Sequence, residues 1–461
     1  MKYNIKISGV HYKELERHLF PGDGKEAVSI ALCGRNFDQD GNNFMLVHQI
    51  INIPYEYCAI REPNKVEWST EILSSYLEKV LNKGLAIIKI HCHPGGYEQF
   101  SDVDDDSDIE LFDSIYGWTN NNLPHASMIM MPNGNLKARI VTDKLTFLNV
   151  DKISIIGDDL IFFNNNVKTF NSDSYNLRTK QAFGEGTVNI LNNLRVGVIG
   201  CSGTGSPVIE QLARLGVGNL ILIDPDEVEF KNLNRILNTT REDAELKRKK
   251  IDVLKKAIDK IGMETRVDVF PVNIYDDKEV INRIATCDII FGCVDSIDGR
   301  HILNLIATFY LVSYFDIGVK LVADGMGNVS QICGSIHVLQ PGGSSLRSRG
   351  VYNSEELRAA GLYRTNPESY KNLKKEGYVA NVNIDSPAVI SVNMFAASIA
   401  VNEFLARIHM FRYDNNAKFA ITRFSNVDSY IQYEEDGESD LYLKKFVGRG
   451  EMRPLLNMPE L

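Results

Sequence analysis

The chain has 461 residues, 44% of them hydrophobic and 24% charged, with a formal net charge of −10. That length suits two or three domains of an ordinary globular protein. The acidic balance supplies no Lys/Arg excess to neutralise nucleic-acid phosphates. No apolar run is long enough for a bilayer and the opening MKYNIKISGV is not a signal peptide, so neither nucleic acid nor membrane is an expected partner and a cytoplasmic location is expected.

In chain order, AVSIALCGRN reads as a strand ending in a turn, and NKVEWSTEILSSYLEKVLNKG as a helix stopped by glycine. LAIIKIHCH is a buried strand, SDIELFDSIYGW a helix, and ASMIMMPNGNLKARIV a hairpin around Asn-Gly. Residues 150 to 190 are polar and asparagine-rich, so the domain boundary is placed there: 1–150 forms one domain, 151–175 a linker, and 176–461 the other. From Leu194 the order strand, glycine loop, helix, strand predicts a βαβ unit and a parallel sheet. The segment 343–380 is polar and irregular and reads as a long loop or lid. The seven cysteines lack any CxxC pairing and read as reduced and buried, neither a disulfide framework nor a thiolate metal site.

Two stretches carry chemistry. In HCHPGGYEQFSDVD, His91 and His93 are two apart, so on a strand both imidazoles point the same way. Asp104, just inside the next helix, can add an oxygen. Two nitrogens, one carboxylate and a water make an open tetrahedral zinc site of the catalytic kind. Glu26 is the candidate proton shuttle and Ser101 the candidate hydrogen-bond donor to an oxyanion. Ser101 with Asp104 also reads as a helix N-cap and its capping box. The spacing His-x-His, seven residues, Ser, two residues, Asp, with an upstream Glu, resembles the JAB/JAMM metalloprotease family over residues 1 to 150. That resemblance implies Zn2+ held by His91, His93 and Asp104, and hydrolysis of a peptide or isopeptide bond after a ubiquitin-like tail.

The second stretch, LRVGVIGCSGTGSPVIEQLARLG, places glycines between a strand and a helix, where backbone amides approach a phosphate. The strand LILID ends in Asp224, positioned for a ribose. Alone this pattern also suits an NAD dehydrogenase. The order DPDEVEFKNLNRIL, LKRKKIDVLKKAI and DIIFGCVDSIDGR resembles the ThiF/MoeB type of ubiquitin-activating-enzyme-like adenylyltransferase over residues 175 to 440, and the tail GRGEMRPLLNMPEL resembles that of fused members. The implied fold is a Rossmann-like doubly wound domain behind an α/β metalloprotease-like domain. The implied site has Gly200, Gly203 and Gly205 in the nucleotide loop, with Ser202 where glycine is usual. Asp224 and Asp226 face the nucleotide, with Asp224 on its ribose, while Asn232, Arg235 and Lys250 meet phosphate and Asp295 holds Mg2+. Lys247 or Lys249 can take the place of Lys250. Arg178 either reaches a neighbouring subunit's nucleotide in a homodimer or is a solvated helix charge.

Many relatives of this type hold a structural zinc through paired cysteines. Here Ser345 and Ser348 occupy the first place and the C-terminal region has no cysteine, so no second zinc is expected. Cys333 lies in a strand-like run; Ser345 or Ser348 is the alternative nucleophile for an oxyester, or the enzyme only adenylates. The resemblances together imply a bacterial conjugation enzyme, in phage defence by analogy, that uses ATP to activate and zinc to process a ubiquitin-like protein and hands it to a downstream conjugating enzyme. A sulfur-carrier protein is the alternative partner, and a non-catalytic scaffold the other rival.

Overall fold

The computed structural model describes residues 1–461 except 120, 166–173, 378, 381, 383–386 and 460. It divides into two compact units: Met1–Val167 with Phe309–Leu311 and Lys445–Glu460, and Lys168–Thr308 with Val312–Lys444 and Leu461.

The first unit runs β1 (Lys2–Ser8), α1 (Gly9–Leu19), β2 (Val28–Phe37), β3 (Asn42–Asn52), β4 (Cys58–Glu62), β5 (Lys65–Trp68), α2 (Glu71–Lys83), β6 (Ala86–Cys92), α3 (Asp102–Thr119), β7 (His125–Met130), β8 (Leu136–Val141), β9 (Phe147–Asn149), β10 (Lys152–Ile156) and β11 (Leu160–Asn164). Nine of these strands form one mixed sheet, in the order β11-β10-β1-β3-β2-β6-β7-β8-β9, and β4 and β5 pair by themselves. Apolar clusters cover both faces, one around Ile5, Val47 and Met128, the other around Val28, Leu73 and Phe112. Strands buried on both faces read as continuous apolar runs, as AIIKIHC does in β6. The β7–β8 hairpin turns as expected, with Gly134 at φ +83°.

Three expectations change here. KVEW is strand β5, not the start of a helix; the helix begins after Thr70, and Gly84 closes it in the left-handed conformation. The expected linker from 151 instead contributes β10 and β11, because ISII pairs in parallel with β1, far away in sequence. The tail belongs with this unit rather than with the second one. Gly34 N–H donates to Gly448 O at 3.2 Å, and a Cβ on Gly448 would stand 2.2 Å from Val47 O, so backbone meets backbone where neither glycine carries a side chain.

The second unit runs α4 (Leu177–Asn193), β12 (Arg195–Ile199), α5 (Gly205–Arg214), β13 (Asn219–Ile223), α6 (Arg241–Glu245), α7 (Lys250–Ile261), β14 (Arg266–Phe270), α8 (Lys278–Ala285), β15 (Ile289–Gly292), α9 (Ile297–Tyr310), β16 (Ser313–Ala323), β17 (Val329–Leu339), α10 (Ser354–Thr365), α11 (Pro367–Lys375), α12 (Ile390–His409), β18 (Ile421–Ser425) and β19 (Tyr430–Glu434). Its sheet has the order β14-β13-β12-β15-β16-β17-β18-β19, parallel from β14 to β16 and antiparallel beyond. This is the Rossmann-like arrangement. The chain winds outward in both directions from β12 and β15, so their carboxyl ends form the switch point where such sheets bind ligands. The expected loop at 343–380 holds α10 and α11 instead. Asn353 caps α10 in a box closed by Glu356, and Asn366 caps α11 with proline in its first turn. No helix among the described residues is long and apolar enough to cross a membrane.

Candidate functional site

In the first unit, β6 carries His91 and ends one residue before His93, whose N–H is held by Met130 O at 3.0 Å. Helix α3 starts opposite. Ser101 N–H and Oγ donate to Asp104 Oδ2 at 2.7 and 2.8 Å, and Asp104 N–H returns to Ser101 Oγ at 3.2 Å. The capping box turns the Asp104 carboxylate toward the histidines. His91 Nε2 is 2.9 Å from Asp104 Oδ1, His93 Nε2 is 3.5 Å from Oδ2, and the two Nε2 atoms are 3.1 Å apart. Tetrahedral zinc with bonds of about 2.0–2.1 Å separates its ligand atoms by about 3.3 Å, so this donor set fits such an ion. His93 Nδ1 meets Tyr97 O at 2.7 Å, which makes Nδ1 the donor and leaves the Nε2 lone pair facing the site.

Electrostatics agree with that geometry. Burial opposes charge on Asp104, but hydrogen bonds from His91, His93 and Ser101 outweigh it and hold the carboxyl far below its usual range. Glu26 is 7% exposed. Burial, reinforced by Asp104, pushes its carboxyl up to about 7, near the value suited to a general base. Its backbone N–H is fixed by Glu62 O of β4 at 2.9 Å. The Ser101 hydroxyl donates to Asp104 and accepts from its N–H, so Ser101 caps α3.

In the second unit, a cavity of about 350 Å³ opens at the ends of β12, β13 and β15. Gly200, Ser202, Asp224, Asp226, Asn232, Arg235, Lys250 and Asp295 all line it. Gly200 takes φ +89°, and a Cβ on Gly205 would sit 1.9 Å from Gly200 O, so the loop closes only over glycine. Gly203 leaves room for Arg235, whose Cδ would be 3.1 Å from a Cβ there. Asp224 accepts from Cys201 N–H at 2.7 Å and Asp226 N–H at 2.9 Å, and burial raises its carboxyl pKa against the pull of Lys250. Asn232 Oδ1 accepts from Glu229 N–H, which orders the turn carrying Arg235. Lys250 is buried beside Asp224 and Asp226, whereas Lys249 Nζ turns to Pro225 O and Lys247 begins no helix turn.

Sequence reasoning missed part of the rim. Tyr275 and Asp298 also line the cavity, and Tyr275 OH donates to Asp298 O at 2.9 Å. Arg364 of α10 lies 3.9 Å from the centre of the Tyr275 ring and pairs with Asp298 Oδ2 at 3.0 Å. Asp298, three residues past Asp295, was visible in DSIDGR; nothing local marks Arg364.

The remaining candidates lie apart from both clusters. Ser345 is 1% exposed and its Oγ donates to Asp440 Oδ2 at 2.6 Å. Ser348 Oγ donates to Ser345 O, and Ser344 with Arg349 engages Asp436. These bonds tie the turn at 344–349 to the segment at 436–440. Cys333 lies within β17. Arg178 stays on its own helix, with Nη1 donating to Gln181 Oε1.

The sequence model of the ThiF family matches residues 175–433. Molybdopterin-synthase adenylyltransferase of Escherichia coli (strain K12) is 35% identical over 115 residues, 25% of this chain and 45% of that protein. Ubiquitin-like modifier-activating enzyme 5 of Drosophila pseudoobscura pseudoobscura is 28% identical over 158 residues, 32% of this chain and 37% of that protein. The chain thus spans less than half the length of either relative. The crystal structure of E. coli MccB with succinimide aligns at 20% identity and a TM-score of 0.44, covering 59% of this chain and 74% of that one.

Proposed function

Because the chain belongs to the ThiF family, we propose that its second unit uses ATP to adenylate the C-terminal carboxylate of a ubiquitin-like or sulfur-carrier protein. The observation that carries this reading is one cavity lined by Arg235, Lys250, Asn232, Asp224 and Asp295, beside a glycine loop. A carboxylate oxygen attacks the α-phosphorus, the bond to the β-phosphate oxygen breaks, and pyrophosphate leaves. Arg235 and Lys250 neutralise charge on the phosphoryl oxygens. Asp224 takes the ribose hydroxyls, with its other bonds to Cys201 and Asp226 N–H keeping it in place. Asp295, which lines the same cavity, would hold Mg2+, and the ion would supply positive charge against the phosphates.

The names of the relatives support the substrate class: one adenylates for molybdopterin synthase, the other activates a ubiquitin-like modifier. The first unit, in this reading, is a zinc hydrolase acting after the tail of the same partner. His91, His93 and Asp104 would hold the ion, which supplies a Lewis acid and lowers the pKa of water to about 7. Glu26, its carboxyl raised to about 7 by burial, would be the residue that takes up a proton beside the ion and gives one back to a leaving amine.

The test is ATP–pyrophosphate exchange with purified ubiquitin-like and sulfur-carrier proteins that end in a free C-terminal tail. Exchange that needs a free C-terminal carboxylate supports adenylation; none above background with any such carrier sinks it. Thiocarboxylate on the carrier would select the sulfur pathway, and an amide conjugate the modifier pathway. Cleavage of a tail-extended carrier that stops when zinc is chelated tests the first unit separately.

A further inference from the structure

Strand β6 and helix α3 meet twice. Lys89 precedes His91 by two residues on the same strand face, and Asp108 follows Asp104 by about one helical turn. Lys89 Nζ donates to Asp108 Oδ1 at 2.7 Å and to Ser107 Oγ at 3.0 Å. The other carboxylate oxygen accepts from Arg139 Nε at 3.2 Å and Nη2 at 2.8 Å. Side-chain exposure is 5% for Lys89, 0% for Asp108 and 10% for Arg139.

Arg139 reaches both sides of the metal-binding turn. Its guanidinium carbon lies 4.0 Å from the centre of the Phe100 ring, just before Ser101, and 3.7 Å from that of Phe147. After the turn it pairs with Asp105 as well as Asp108. Two cations against two carboxylates leave the cluster formally neutral, so it does not repel a divalent ion one turn away.

We propose that Lys89, Asp108 and Arg139 are positioning residues that set the register of α3 against β6 and so hold Asp104 opposite His91 and His93. The inference rests on the metal-site reading above. Apolar contacts between a helix and a sheet tolerate neighbouring registers; a buried carboxylate gripped by a fork and an ammonium does not. A slip of one residue turns α3 by about 100° and carries Asp104 away from the histidines together with Asp108 from Lys89.

The test is zinc affinity of the full chain, measured by competition with a chromophoric chelator, with H91A fixing the background and thermal melting confirming folded protein. D108N and R139M are expected to weaken zinc binding by about tenfold or more. R139K keeps the charge but loses the fork and the stacking, and is expected to rescue only part. The apolar triple variant K89M/D108L/R139M separates positioning from stability, because such replacement of a buried ion cluster often preserves folding. Weak zinc binding at a near-native melting temperature supports positioning. Affinity that simply follows melting temperature across the set, or folded variants within twofold of the unaltered protein, overturns it. An unaltered protein that binds no zinc above the H91A background overturns the metal-site reading and this inference with it.

Discussion

Lys250 Nζ stands 2.7 Å from Asp226 Oδ2 and 3.9 Å from Asp224 Oδ1, buried in the first turn of α7. Its neighbour Lys249 holds Pro225 O and Glu227 from a half-open position. A cation with almost no exposure beside the glycine-loop cavity acts in low dielectric, where a phosphate contact would be strong. K250M is therefore expected to lower pyrophosphate exchange by about a hundredfold or more, the range seen when a charge-stabilising group is removed. K249M is expected to stay within about fivefold, since an exposed pair is worth ~1 kcal/mol or less. Equal losses in the two variants would sink the assignment.

The glycines make two predictions of opposite sign. G205A places a methyl group 1.9 Å from Gly200 O, so the loop must open and nucleotide binding, read by isothermal titration, is expected to be lost. Gly361 lies inside α10 with nothing within 4 Å of a Cβ. G361A is expected to stabilise the protein by about 0.5–1 kcal/mol through helix propensity, read as a higher denaturation midpoint.

What the sequence makes legible is what depends on near neighbours. His91, His93, Ser101 and Asp104 lie within fourteen residues, and a strand followed by a capped helix brings them together. The glycine loop likewise sits between adjacent elements β12 and α5. The misses have two causes. One is partnership across long sequence separations: β10 looks like linker until β1 pairs with it, the 448–450 stretch has no local signal for its place beside Gly34, and Arg364 meets Tyr275 through a helix ninety residues later. The other is composition overriding caps. The 343–380 segment is polar enough to read as loop, although Asn353 with Glu356 and Asn366 before Pro367 announce two helices.

Ser345 is buried and hydrogen-bonded. Its hydroxyl is a hydrogen-bond donor to Asp440, which also receives the N–H groups of Tyr442 and Leu443. S345A removes one bond from a partly buried carboxylate and is expected to destabilise by about 1–3 kcal/mol, read as a lower urea midpoint, while pyrophosphate exchange persists. Intact mass after incubation with ATP and the carrier is expected to show no base-labile adduct on this chain. An adduct that vanishes in S345A would restore a transfer role for this serine.

Acid should loosen the fold before most carboxylates titrate. Burial, with His48 adding, pulls His11 down to about 4, and burial, with Lys79, Arg449 and Lys83 adding, pulls His48 down to about 4 despite the bond to Val447 O that favours its charge. Burial also lowers His125 and His337 to about 3, helped by Arg35 in one case and by Arg349, Arg423 and Arg300 in the other. In an unfolded chain each would titrate near 6.5. Between about 6.5 and 4 the unfolded state therefore binds more protons than the native state, so stability is present above that window and falls as pH drops through it. Each histidine contributes a slope of up to about 1.4 kcal/mol per pH unit. Urea midpoints are expected to fall steadily from pH 7 to pH 5. The double variant H11Q/H48N, in which asparagine can still donate to Val447 O, is expected to flatten that slope by up to two protons. A slope unchanged in the double variant would mean that His11 and His48 titrate normally in the folded protein and that the acid sensitivity arises elsewhere.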